Sequence, residues 1–270
     1  MTEANVSNLS NVVPTLPKVM GLKTFNRIYG GHDTLEGVYK LHQKIVAELL
    51  ATTFFVFGVI SSNFYFGDCP AAAILGSACM GGIMIYIFGR VSGAHFNPAI
   101  SLALFIRNKL SGMELGLYIL AQVIGSFLAC LLFVLCNRGH FKYMVGTEIG
   151  GPMYDPDDGD KDGWSYVGAL FMEIILTFIL IMFILASCEK DNYLGPSLGL
   201  AFAACIVACA AAGGRVSGCS MNPARSIGPA FMQWFEGTYK NPIKQIWIYI
   251  VGPFVGAIIA AFVWPIFIYY

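Results

Sequence analysis

The sequence predicts an all-α membrane protein of six transmembrane helices and two re-entrant half-helices, built as an inverted repeat. Three observations carry that prediction. Hydrophobic residues make up 57% of the chain and charged residues only 12%, against roughly 25% charged in soluble domains. Eleven residues occur twice, GRVSGAHFNPA from Gly89 to Ala99 and GRVSGCSMNPA from Gly214 to Ala224, with Asn97 and Asn222 standing 125 positions apart. The same offset pairs Glu48 with Glu173, Thr52 with Thr177 and Ser101 with Ser226, so the duplication extends into the flanking apolar runs. Duplicated hydrophobic sequence, interrupted by Gly and Pro at matching places, is the pattern of a site near the bilayer midplane made from broken helices.

Residues 1–41 are polar, with no basic stretch leading into an apolar core, and read as a cytoplasmic tail without a signal peptide. The first repeat, 42–140, supplies spans near 45–66, 71–88 and 115–136, and the second, 166–270, supplies spans near 166–188, 197–213 and 245–268. Each is an apolar stretch long enough to cross a hydrocarbon core of about 30 Å. Two further apolar stretches begin at Asn97-Pro98 and Asn222-Pro223 and end near Asn108 and Gln233. They are too short to cross. Asn-Pro suits a helix start, because Asn can cap and Pro at the first helical position gives up no needed N–H.

Three crossings per repeat invert the second copy relative to the first and put both termini on one side. Nine loop cations fall on that side (Lys18, Lys23, Arg27, Lys40, Lys44, Arg90, Arg107, Lys109, Lys190) and seven on the other. The positive-inside rule therefore predicts cytoplasmic termini. Residues 141–165 form an extracellular linker in this topology. Its Asp158, Asp160, Asp162 and Gly163 imitate the opening of a calcium loop, but Ala169 stands where the closing Glu belongs, so a solvated acidic linker is the expectation. The sequons at Asn5 and Asn8 are on the cytoplasmic side and predicted to be unmodified.

Several function classes find no support. The net charge is zero, which gives no electrostatic case for nucleic acid. The cysteines are scattered through apolar runs without metal-ligand spacing, so no metal or other cofactor is implied. His32, His42, His95 and His140 are far apart and accompany no nucleophile pattern, which argues against an enzyme.

The inverted repeat brings the two half-helices in from opposite faces, with Asn97 and Asn222 meeting at the centre. Non-helical backbone at that depth survives only where protein buries it or water lines it. The stretches Gly93, Ala94, His95 and Gly218, Cys219, Ser220 are expected to run extended and present carbonyls to permeating polar molecules. Each half-helix N-terminus is equivalent to about +0.5 charge. Two of them aimed at one point repel a cation or proton and leave a neutral solute unopposed. Arg225, one residue past the second NPA, can reach the same passage, or else snorkel to headgroups. Glu48 and Glu173 are the only acids well inside the spans. Their repeat symmetry favours a supporting role, each carboxylate accepting bonds from orphan N–H groups of the loops. Proton coupling is the alternative, which keeps an ion-coupled secondary transporter with inverted repeats as the competing function.

Two SGxxxNPA motifs, Ala-Arg-Ser after the second asparagine-proline pair, six spans and a Glu in spans one and four resemble the aquaporin, or major intrinsic protein, family over residues 42–268. The resemblance implies an aquaporin-like right-handed bundle, a homotetramer with one pore per subunit, and passive conduction of water, with protons and ions excluded. It further implies a filter formed by Ser77, Ala210, Cys219 and Arg225. Water-selective members carry an aromatic and a His at the first two positions, and both are absent here, so glycerol, urea or ammonia are expected as further solutes. Against this, Ser226 and Ala230 resemble the water type, as does Tyr249, while Ile250 stands where a Trp is usual. Cys219 is either a mercurial target or a small packing residue. His95 is either a titrating gate or a neutral strut, and the N-terminal tail is either regulatory or disordered. The chain is expected in the plasma membrane or an intracellular vesicle membrane.

Overall fold

The computed structural model describes residues 39–137, 164–187, 194, 197–237 and 241–268. Among these residues every regular element is helical: α1 (Leu41–Tyr65), α2 (Pro70–Ser92), α3 (Pro98–Ile106), α4 (Gly112–Cys136), α5 (Trp164–Ser187), α6 (Leu198–Ser217), α7 (Pro223–Glu236) and α8 (Asn241–Val263), followed by a 3₁₀ turn at Trp264–Phe267. Nearly all of the predicted tail, most of the 141–165 linker with its acidic run, and the sequons at Asn5 and Asn8 lie outside the described residues.

Six helices, α1, α2, α4, α5, α6 and α8, are long and apolar enough to cross a membrane. At 1.5 Å per residue, α3 with 9 residues and α7 with 14 reach only about 14 Å and 21 Å, short of a hydrocarbon core of about 30 Å. The spans α2 and α6 run several residues past the predicted ends near 88 and 213. Arg90 and Arg215 lower the local hydropathy there without interrupting the helical hydrogen bonds. What stops each helix is a left-handed glycine, Gly93 at φ 92° and Gly218 at φ 81°, whose N–H returns to Gly89 O at 3.0 Å and Gly214 O at 2.9 Å. A residue with a Cβ pays about 1 kcal/mol or more in that conformation.

The two halves pack alike. Helix α1 lies against α2 and α4, as α5 lies against α6 and α8, while α2 and α6 join the halves. Half-helix α3 packs on α4 and on α8 of the other half, and α7 packs on α8 and on α4. Lipid tails offer no hydrophobic drive between helices, so close approach of small residues does the work. At the α2–α6 crossing a Cβ added to Gly82 would sit 2.5 Å from Gly199 O, and one added to Gly199 would sit 2.6 Å from Gly82 O. The same approach recurs at Gly125 against Leu49 O and at Gly256 against Ile174 O. Phe55, Phe96, Phe133, Leu176, Ile181 and Phe202 fill the centre, and Leu75, Leu131, Leu200 and Phe262 face outward, where a bilayer would cover them.

Candidate functional site

The two half-helices begin at Asn97 and Asn222, and each asparagine does two jobs. As caps, the side-chain oxygens accept from Ala99 N–H at 2.8 Å and from Arg225 N–H at 3.3 Å. The amide nitrogens cross between the halves: Asn97 Nδ2 donates to Met221 O at 2.8 Å, and Asn222 Nδ2 donates to Phe96 O at 2.9 Å. This reciprocal exchange fixes the two helix N-termini against one another at the centre of the bundle. Both asparagines are buried, as are Pro98, Ala99, Pro223 and Ala224.

The loops leading into the asparagines differ from the extended runs expected. Left-handed residues recur along them: Gly93, Ala94 and Phe96 in the first, Gly218, Cys219 and Met221 in the second, with φ between 34° and 92°. For Ala, Phe, Cys and Met that geometry is strained, and it persists because the surroundings over-determine it. From Ala94 to Asn97 and from Cys219 to Asn222 the sign of φ alternates, which turns successive N–H groups to one side and makes a concave anion site. In the first loop that site is filled by the fully buried Glu48. Its Oε1 accepts from Ser92 Oγ at 2.6 Å and His95 N at 2.8 Å, and its Oε2 from Phe96 N at 2.7 Å and Gln122 Nε2 at 2.8 Å. In the second loop Glu173 repeats the arrangement, accepting from Ser217 Oγ at 2.7 Å, Ser220 N at 2.8 Å and Met221 N at 2.7 Å. Charge-assisted bonds of this kind are about twice as strong as neutral ones.

Further residues complete the frame. The phenols of Tyr118 on α4 and Tyr249 on α8 donate to the last helical carbonyls before each loop, Ser92 O at 2.9 Å and Ser217 O at 2.8 Å. His95 shares Nδ1 with Ser101 Oγ at 3.0 Å, and its counterpart Ser220 pairs with Ser226 Oγ at 2.6 Å. The His95 ring is therefore tied into the frame from its own half-helix.

Of the four predicted filter positions, Cys219 and Arg225 flank Asn222, in the loop and on the first turn of α7, while half-buried Ser77 and Ala210 come from α2 and α6. Arg225 lies within electrostatic reach of Cys219, Glu173 and Tyr249. Ser77 donates its hydroxyl to Ala73 O at 2.8 Å, which leaves its oxygen lone pairs free to accept.

Ser92, Ser217, Tyr118 and Gln122 join the site without having stood out in the sequence. The two serines carried a signal, since they pair at the 125-residue offset in the same register as the two glutamates.

The Major intrinsic protein family matches residues 37–264. Similar proteins include "Aquaporin NIP1-1" of Zea mays, 38% identical over 81% of this chain and 72% of that protein. "Nodulin-26" of Glycine max is 34% identical over 83% of this chain and 77% of its own length. Among solved structures, the aquaglyceroporin from Plasmodium falciparum shares the fold with a TM-score of 0.70 at 22% identity, over 82% of this chain and 94% of that one. With the doubled loop on its glutamate cradle and a family match spanning nearly all of the bundle, this chain belongs to the major intrinsic protein family and is an integral, multi-pass membrane channel.

Proposed function

We propose that the chain is a passive pore for water and for small neutral solutes such as glycerol, urea or ammonia, and that it excludes protons and ions. The observation that carries this reading is the reciprocal pair of asparagine bonds, Asn97 to Met221 O and Asn222 to Phe96 O. It sets two half-helix N-termini, each worth about +0.5 charge, at one place beside two donor amides. A cation there faces both positive ends in a low-dielectric interior, where charges interact far more strongly than in water. A water molecule loses nothing, because amides and loop carbonyls of Gly93, Ala94, His95, Gly218, Cys219 and Ser220 replace its hydrogen bonds.

Glu48 and Glu173 serve as loop anchors in this account. A carboxylate whose oxygens already hold three or four donors is poorly placed to shuttle protons. Arg225, Ser77, Ala210 and Cys219 form the outer filter, the termini are cytoplasmic, and the chain assembles as a homotetramer with a pore in each subunit. The NIP-type names of its relatives and the aquaglyceroporin fold of its structural neighbour are consistent with solutes beyond water.

Stopped-flow light scattering on proteoliposomes tests the proposal, with an impermeant osmolyte and with glycerol, for the wild type and Arg225→Ala. The expected result is fast water flux and measurable glycerol flux in the wild type, with Arg225→Ala raising leakage of protons. Flux that saturates and depends on an ion gradient would contradict the passive reading and favour a coupled transporter.

A further inference from the structure

We propose that the narrowest, size-selecting point of the pore lies on the Glu48 side of the paired asparagines, at an aromatic constriction centred on Phe202, rather than at the filter around Arg225. This inference rests on the pore reading above. The 125-residue offset gives each filter position a counterpart in the other half: Ser77 pairs with Phe202, Ala210 with Ile85, Cys219 with Ala94 and Arg225 with Ile100. An inverted repeat that places the first four at one depth places the second four at the same depth on the opposite side of the centre.

The two quartets differ in kind. Ser77, Ala210 and Arg225 are half-buried and Cys219 is buried, and the set is small apart from the arginine. Phe202, Ile85, Ala94 and Ile100 are apolar and all buried, with Phe202 only 2% exposed. Around Phe202 the inner side also gathers aromatic bulk. The Phe96 ring stands edge-on to Phe202 at 5.6 Å between centroids and lies 4.9 Å from Phe55. Their counterparts across the repeat are Met221 for Phe96 and Leu180 for Phe55, so three phenylalanines on one side answer to Ser, Met and Leu on the other. Gly81 makes room for them: a Cβ there would meet Phe202 Cε1 at 2.8 Å and Phe55 Cε2 at 3.3 Å, and its own counterpart is the bulky Ile206.

The cluster is also held still. Phe96 sits at φ 34°, with its N–H bonded to Glu48 and its carbonyl bonded to Asn222, so the bonds that align the asparagines also fix the ring beside Phe202. A constriction of apolar rings offers no donors or acceptors to replace a polyol's hydration, and it selects by width and by dewetting. The aromatic residue missing from the Ser77 position has thus been replaced by one at its mirror position.

The test uses the full chain in proteoliposomes and follows entry of water, glycerol and the longer polyol erythritol. Phe202→Ala is expected to raise erythritol permeability about fivefold or more, with Phe202→Leu falling between it and the wild type. Arg225→Ala, at the wider outer filter, is expected to raise erythritol entry less than Phe202→Ala does. Phe202→Leu keeps the measurement decisive where the alanine variant does not fold. Erythritol entry that responds to Arg225→Ala and ignores both Phe202 variants would overturn the proposal while leaving the pore standing. Absence of water flux in the wild type would overturn the pore and this constriction together.

Discussion

Replacing Glu173 by Gln preserves shape and removes one acceptor, and the consequence can be worked from the three bonds it accepts. With the amide oxygen at the Oε1 position, Ser217 Oγ and Ser220 N–H are served and Met221 N–H faces an NH₂ group. With the amide reversed, Met221 N–H is served and Ser220 N–H is stranded. Either way one buried backbone donor is left unpaired, at a cost of about 1–3 kcal/mol. Glu173→Ala strands both N–H groups and costs about 2–6 kcal/mol on the same basis. With about 2–4 °C per kcal/mol for a domain near this size, the glutamine variant melts about 2–12 °C lower and the alanine variant falls about twice as far. Thermal unfolding of the detergent-solubilised protein, followed by size exclusion, reads both. A glutamine variant that melts with the wild type, or an alanine variant no less stable than the glutamine one, would refute the anchoring argument.

Four further outcomes follow from the same geometry. Gly82→Ala drives a methyl against Gly199 O, a backbone atom that cannot swing aside, and should cost about 1–3 kcal/mol. Gly116→Ala, with open space at its Cβ, should be neutral or slightly stabilising in the same melting assay. Asn97→Asp keeps the cap acceptor for Ala99 N–H but replaces the donor to Met221 O with a negative oxygen between the helix N-termini. It should admit a cation current in planar bilayers, and a conductance equal to the wild type would count against the electrostatic barrier. Mercurials should block water flux in the wild type and spare Cys219→Ser; equal block of both would place the reactive thiol elsewhere.

The sequence made the six spans, the two half-helices and the asparagine caps legible because membrane length, Asn-Pro and a fixed-offset duplication are strong signals that act independently. Helix ends were less legible. The extra turn of α2 and α6 is held by helical hydrogen bonds through Arg90 and Arg215, and hydropathy does not register hydrogen bonds. Tyr118 and Tyr249 escaped pairing for a different reason. They stand 131 positions apart, as do Gly125 and Gly256, because α7 runs on to Glu236 where α3 stops at Ile106. The single offset of 125 therefore does not carry over to the third span of each half. The left-handed residues of the two loops were hidden too, since Ala, Phe, Cys and Met give no local hint of positive φ. That conformation is imposed by the carboxylates beneath them.

The most direct test of the central claim is the osmotic water permeability of proteoliposomes, measured against the size of the gradient and against temperature. A pore lined by fixed amides and carbonyls predicts flux well above protein-free vesicles, linear in the gradient, weakly dependent on temperature and indifferent to ion gradients. Flux no greater than in protein-free vesicles, or flux that saturates and follows an imposed ion gradient, would contradict it.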